Sequence, residues 1–103
     1  MKYITTPAFD GDVGRLTEDE RKLFGKAVNK FAQAADTVAA DPGRTKWPKA
    51  LRVKSVEGAP GIWEMTWSFS GPDGRATFEW TTINDQAAIR WRRVGGHAIF
   101  KEP

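Results

Sequence analysis

The spacing of apolar residues changes once along this chain, from a helical period to a period of two, and that change sets its fold class. Phe24, Val28, Phe31, Ala35 and Val38 recur every three or four residues, which places them on one stripe of an amphipathic helix. Beyond Gly43 the apolar residues alternate. Trp63, Met65, Trp67 and Phe69 interleave with Glu64, Thr66 and Ser68, then Ala76, Phe78 and Trp80 with Thr77 and Glu79, then Ile89 and Trp91 with Arg90 and Arg92. Alternation buries one face of a strand and leaves the other to water. Helices followed by an antiparallel meander make an α+β domain. A length of 103 residues suits a single domain, 1–103.

Local signals place the elements. Lys2 to Thr5 is a short β-prone opening, and Thr6-Pro7 reads as an N-cap followed by proline at the first helical position. Phe9, Val13 and Leu16 would line one face of that helix. Thr17-Glu18-Asp19-Glu20 matches a capping box for a second helix, which runs to about Ala40 and stops at Asp41-Pro42-Gly43. Leu51 and Val53 alternate with Arg52 and Lys54, which predicts a half-buried strand. Gly71-Pro72-Asp73-Gly74 and Asn84-Asp85 mark hairpin turns. Gly95-Gly96 breaks the next strand or forms a bulge, and His97 to Phe100 reads as a last short strand.

Composition narrows the chemistry. There is no cysteine, hence no disulfide, thiolate metal site or cysteine nucleophile, and a lone histidine makes no zinc site by itself. No apolar run spans a membrane or forms a secretory leader, so a soluble cytoplasmic protein without metal or cofactor is expected. Residues 1–43 hold six Lys/Arg against seven Asp/Glu, whereas residues 44–103 hold ten against six. Two runs contain only cations among their charges: Arg44, Lys46, Lys49, Arg52, Lys54, and Arg90, Arg92, Arg93, Lys101, with His97 inside the second. Cations clustered beside aromatics suit a phosphate-bearing partner, and solvated basic faces are equally ordinary.

The alternation assigns side chains to faces. Trp63, Trp67, Phe69, Phe78, Trp80 and Trp91 should meet the helical stripe, leaving Arg52, Lys54, Glu64, Arg75, Glu79, Arg90 and Arg92 on the open side with His97 near its end. Metal-free RNA cleavage needs a base for the 2′-hydroxyl, an acid for the leaving oxygen and cations for charge building on phosphorus. Histidine titrates near neutrality and supplies the acid or base, a glutamate supplies its counterpart, and the arginines and Lys54 bind phosphate. The structural reading of the same residues is cross-strand ion pairing for Glu64 and Glu79, and a turn role for His97. Trp47, flanked by Lys46, Pro48 and Lys49, could stack on a base or a partner helix, or pack over a helix end.

The stretches Leu51-Arg52-Val53-Lys54, Gly61-Ile62-Trp63-Glu64-Met65, Arg75-Ala76-Thr77-Phe78 and Ile89 to Phe100 resemble the RelE/ParE superfamily of type II toxin–antitoxin toxins. The ending Arg93-Val94-Gly95-Gly96-His97-Ala98-Ile99-Phe100 is similar to the hydrophobic–Gly–x–His–x–hydrophobic–aromatic close of many members. The resemblance runs from Tyr3 to Pro103 and implies a β-α-α-β-β-β-β antiparallel sheet with a helical hairpin on one face. It further implies a toxin held by a cognate antitoxin, either a metal-independent endoribonuclease cutting mRNA on the ribosome or a gyrase inhibitor. An inactive interaction module on the same fold is the third reading. By position, the resemblance makes Arg75 a phosphate-binding arginine, His97 a catalytic histidine and Lys54 a catalytic lysine. Glu64 completes the expected catalytic set, and Arg52, Arg90, Arg92, Arg93, Lys101 and Trp47 the RNA-binding set. Phe100 departs from the pattern, standing where active ribonucleases often carry tyrosine.

Overall fold

In the computed structural model, which describes residues 1–41, 43–68 and 73–103, Thr6 caps the first helix as its sequence predicts. Its hydroxyl accepts from the Phe9 N–H at 3.1 Å, and Pro7 opens α1 (Pro7–Arg15). Thr17 and Glu20 form the expected capping box of α2 (Glu18–Ala40): Thr17 Oγ1 accepts from Glu20 N–H at 3.1 Å and Glu20 Oε1 from Thr17 N–H at 2.8 Å. Pro42 of the helix stop, Phe69 of the expected core and the Gly71-Pro72 half of the first hairpin turn lie outside the described residues.

Five strands follow the order β1-β5-β4-β3-β2, with β1 (Tyr3–Thr5), β2 (Lys54–Ser55), β3 (Trp63–Ser68), β4 (Gly74–Ile83) and β5 (Gln86–Gly95). Strands β2 to β5 pair antiparallel. One pairing departs from the all-antiparallel expectation: β1 lies parallel to β5, from Tyr3↔Ile89 to Thr5↔Trp91. Parallel neighbours need a long crossover, and here both helices and three strands intervene in sequence. The β4–β5 hairpin turns at Asn84 and Asp85, both at positive φ (50° and 64°), a conformation asparagine and aspartate tolerate.

The α2 stripe packs as its period requires, with Phe24, Ala27, Phe31, Ala35 and Val38 buried. Phe31 meets Phe78 and Trp91 with ring centroids 4.8 and 4.9 Å apart, and Phe9 of α1 joins Phe24 at 6.0 Å. Trp63 and Trp80 pack against this core while staying partly exposed.

Two expected strands are 3₁₀ turns instead. Lys49–Leu51 forms one, buries Leu51 and leaves Arg52 left-handed at φ 45°, so only Lys54–Ser55 reaches β3. Four alternating residues are too few to separate a strand from a turn that buries one leucine. His97–Lys101 forms the other, folding back from Gly95-Gly96 to bury Ile99. The strand irregularity near the end of β5 sits at Arg92 and not at the glycines. The register passes from Phe78↔Trp91 to Thr77↔Arg93, so Arg92 is the extra residue of a bulge. The sequence carries a trace of it, since Trp91 and Val94 are both buried although three residues apart.

Gly74 opens β4 against the indole of Trp67. A Cβ there would stand 2.4 Å from Trp67 Cε2, and that ring is fixed by its Nε1–H donating to the Arg75 carbonyl at 2.9 Å. Gly74→Ala should therefore cost about 2 kcal/mol. A urea titration checks this: the midpoint should fall with an unchanged slope.

Candidate functional site

The outer face of β3, β4 and β5 gathers the residues that the alternation assigns to it. Register pairs Glu64 with Thr77, and Thr77 with Arg93; one step along, Thr66 pairs with Arg75, and Arg75 with Gly95. Arg75 is held in place on this face, its Nε 3.7 Å from Glu64 Oε1 and its Nη2 3.3 Å from Asp73 Oδ2. Lys54 Nζ reaches the same Glu64 oxygen at 3.9 Å. Glu79 stands opposite Arg90 in the ladder and takes Arg90 Nη1 at 2.7 Å and Arg92 Nη1 at 3.1 Å, one guanidinium on each oxygen. Four cations thus face three carboxylates, where the sequence led us to expect five and two. Asp73 joins the group, and Arg52 lies on the 3₁₀ turn after Lys49–Leu51 and not on a strand.

His97 begins two residues beyond Gly95, the ladder partner of Arg75. The imidazole is exposed and meets the ring of Phe100 edge-on at 5.7 Å. From there the chain crosses the outer face: the Pro103 carbonyl accepts from Thr77 Oγ1 at 2.9 Å and from Arg92 Nε at 3.1 Å. The site therefore lies between the Glu64–Arg75 pair and a C-terminal segment laid over β4 and β5. Lys101 is exposed on that segment.

Arg93 is used differently from its neighbours. It turns to α1, where Asp12 accepts from its Nε at 2.7 Å and from its Nη2 at 3.1 Å. Asp12 also accepts the Val94 N–H at 3.1 Å, which lies on β5 beyond the point where β1 stops. The carboxylate supplies the acceptor that a neighbouring strand would otherwise give. Burial pushes the Asp12 carboxyl up, but the hydrogen bonds from Arg93 and Val94 and the charges of Arg93 and Arg15 outweigh it, so its pKa settles below the ordinary value. The same hydrogen bond from Asp12 pushes the Arg93 guanidinium up. Sequence reading missed Asp12, although its place three residues after Phe9, among Val13 and Leu16, is a buried position of a helix.

Trp47 has one ring face taken: it stacks on Phe31 at 4.9 Å and 16°, with Trp80 6.2 Å away. It belongs to the edge of the core, far in sequence from the outer-face residues.

No family model matches the sequence, and no curated protein matches it. Among solved structures the chain is similar to a YoeB/ParE toxin from Agrobacterium tumefaciens, at 13% identity and a TM-score of 0.56, over 94% of this chain and 99% of that one. The shared feature is the fold, a RelE/ParE-type sheet backed by a helical pair.

Proposed function

We propose that the chain is the toxin of a type II toxin–antitoxin pair, and that its outer face cleaves mRNA without a metal, on the ribosome. The observation that carries this reading is the convergence of a carboxylate, a guanidinium and an imidazole at one end of the sheet. Glu64 and Arg75 are in contact, and His97 follows the residue paired with Arg75. These three groups match the needs of the reaction. Glu64 takes the 2′-hydroxyl proton, and the 2′-oxygen attacks the adjacent phosphorus. Arg75 binds the non-bridging oxygens as charge grows there. The P–O5′ bond breaks and His97 protonates the departing oxygen, which leaves a 2′,3′-cyclic phosphate and a 5′-hydroxyl. Lys54 helps hold Glu64 ionised, and Arg90, Arg92 and Lys101 offer phosphate contacts along the strand. Arg93, committed to Asp12, serves the scaffold.

The fold likeness supports an antitoxin partner and a cytoplasmic site of action, and no helix among the described residues is long and apolar enough to cross a membrane. Brief induction in bacteria, followed by mapping of RNA 5′ ends, tests the reading. New 5′-hydroxyl ends within translated messages are expected. Arrest of replication with intact messages would assign the fold to gyrase inhibition instead, and no arrest would leave an interaction module.

A further inference from the structure

A second surface carries features that the outer face does not use. Beyond Trp63, the last residue of β3 paired to β4, a groove of about 770 Å³ opens on the helix-covered side. Its walls are Trp47, Val53, Trp63 and Trp80, closed by Val38 at the end of α2 and by Lys46. All three tryptophans stay partly exposed there.

Two further observations say what would fill it. First, β4 outruns β3. Pairing with β3 ends at Phe78, while pairing with β5 continues to Ile83, so residues 80–83 have a strand neighbour on one side only. No backbone hydrogen bond from the rest of the described chain reaches that side. Such an edge is a template for an added strand. Second, Arg44, Lys46 and Lys49 are exposed beside the groove and carry no ion pair among the described residues, against the single carboxylate of Asp41 on the end of α2. The cations of the outer face, by contrast, are each matched to a carboxylate.

We infer that this groove docks an extended acidic segment of a partner protein, which adds as a strand to the free edge of β4 and seats a bulky apolar side chain among Trp47, Trp63 and Trp80. The edge supplies main-chain hydrogen bonds, the tryptophans supply apolar burial, and the unpaired cations select acidic flanks. A single-stranded nucleic acid would use the cations and one or two rings, but it would leave the strand edge unmatched. The inference is independent of the RNA-cleaving reading, since Glu64, Arg75 and His97 take no part in it.

The test uses the full chain and a capped seven-residue peptide alternating glutamate with valine and leucine. Amide and indole signals are followed by NMR. Saturable shifts are expected at residues 80–83 and at the indoles of Trp47, Trp63 and Trp80. The peptide with lysine in place of glutamate, and the one with N-methylated backbone, should fail to bind. The exposed-site variant Lys46→Glu, Lys49→Glu should weaken binding about tenfold or more. Equal binding by the lysine peptide, shifts confined to other residues, or absence of binding by all peptides overturns the inference. So does an oligouridylate that shifts the same residues when the acidic peptide does not. A dimer whose interface amides are 80–83 would give the edge to a second copy and overturn it as well. The peptide charge swap needs no protein variant, so it decides even if the double substitution unfolds the chain.

Discussion

Replacing Asp12 with alanine is expected to lower stability by about 3 kcal/mol, more than any exposed ion pair in the molecule would cost. The carboxylate is only 5% exposed and serves three donors, Arg93, Arg15 and the Val94 N–H. Removing it strands the β5 N–H on an edge that β1 does not reach, and leaves the Arg93 guanidinium, itself three-quarters buried, without its anion. For a domain of this size the loss should lower the melting temperature by about 15 °C. Asp12→Asn should cost less, because an amide oxygen still accepts one bond. Arg93→Ala should also cost less, because Asp12 keeps Val94 and Arg15. A double-mutant cycle on the two residues should report a coupling of about 1–3 kcal/mol. The pH dependence has a definite sign. With its pKa below the unfolded value of roughly 3.9, ionised Asp12 contributes its full stabilisation above that pH and loses it as pH falls through the native pKa. Acid titration of stability should therefore be flatter for Asp12→Asn than for the parent chain below about pH 4. Equal slopes would show that Asp12 ionisation is not linked to folding.

Most of the fold was legible because two of its signals are long. Five apolar positions on α2 and the tryptophan-rich alternations of β3, β4 and β5 leave few other ways to bury those side chains. Caps were legible because Thr6 and Thr17 act within four residues of themselves. The segments misread are those where tertiary contacts decide. Leu51 and Ile99 are single buried aliphatics, and either a strand or a 3₁₀ turn could have delivered each of them to the core. The direction of β1 depends on where the chain returns after two helices and three strands, which no local pattern records. The outer face was legible as a set of residue types, since alternation alone put Glu64, Arg75, Glu79, Arg90 and Arg92 on one side. Their charge balance was not. Asp73 lies beside the turn, and the bulge at Arg92 frees Arg93 to pair with α1. The groove beyond β3 escaped notice for the same reason, because it exists only through the unequal lengths of two paired strands.

Single substitutions of the proposed catalytic set should each lower RNA cleavage by about 10²–10³-fold while leaving the fold intact. Arg75→Ala removes the cation that meets charge on phosphorus, and the Glu64 carboxylate it leaves behind keeps Lys54 at 3.9 Å. Glu64→Gln keeps the shape of that contact and removes the base. His97→Ala removes the acid from an exposed position, where no loss of packing accompanies it. The double variant Arg75→Ala, His97→Ala should fall short of the product of the two single effects, as groups serving one transition state do. A substrate carrying sulfur in place of the 5′-bridging oxygen separates chemistry from positioning, because a thiolate leaves without a proton. On that substrate His97→Ala should regain nearly the parent rate, while Arg75→Ala and Glu64→Gln remain slow. A message with a 2′-deoxy sugar at the cut site should resist every form of the protein, since the internal nucleophile is gone. Unchanged cleavage by the double variant would remove these residues from the reaction. Failure of the sulfur substrate to rescue His97→Ala would assign the imidazole to binding and leave the leaving oxygen to be protonated by another group.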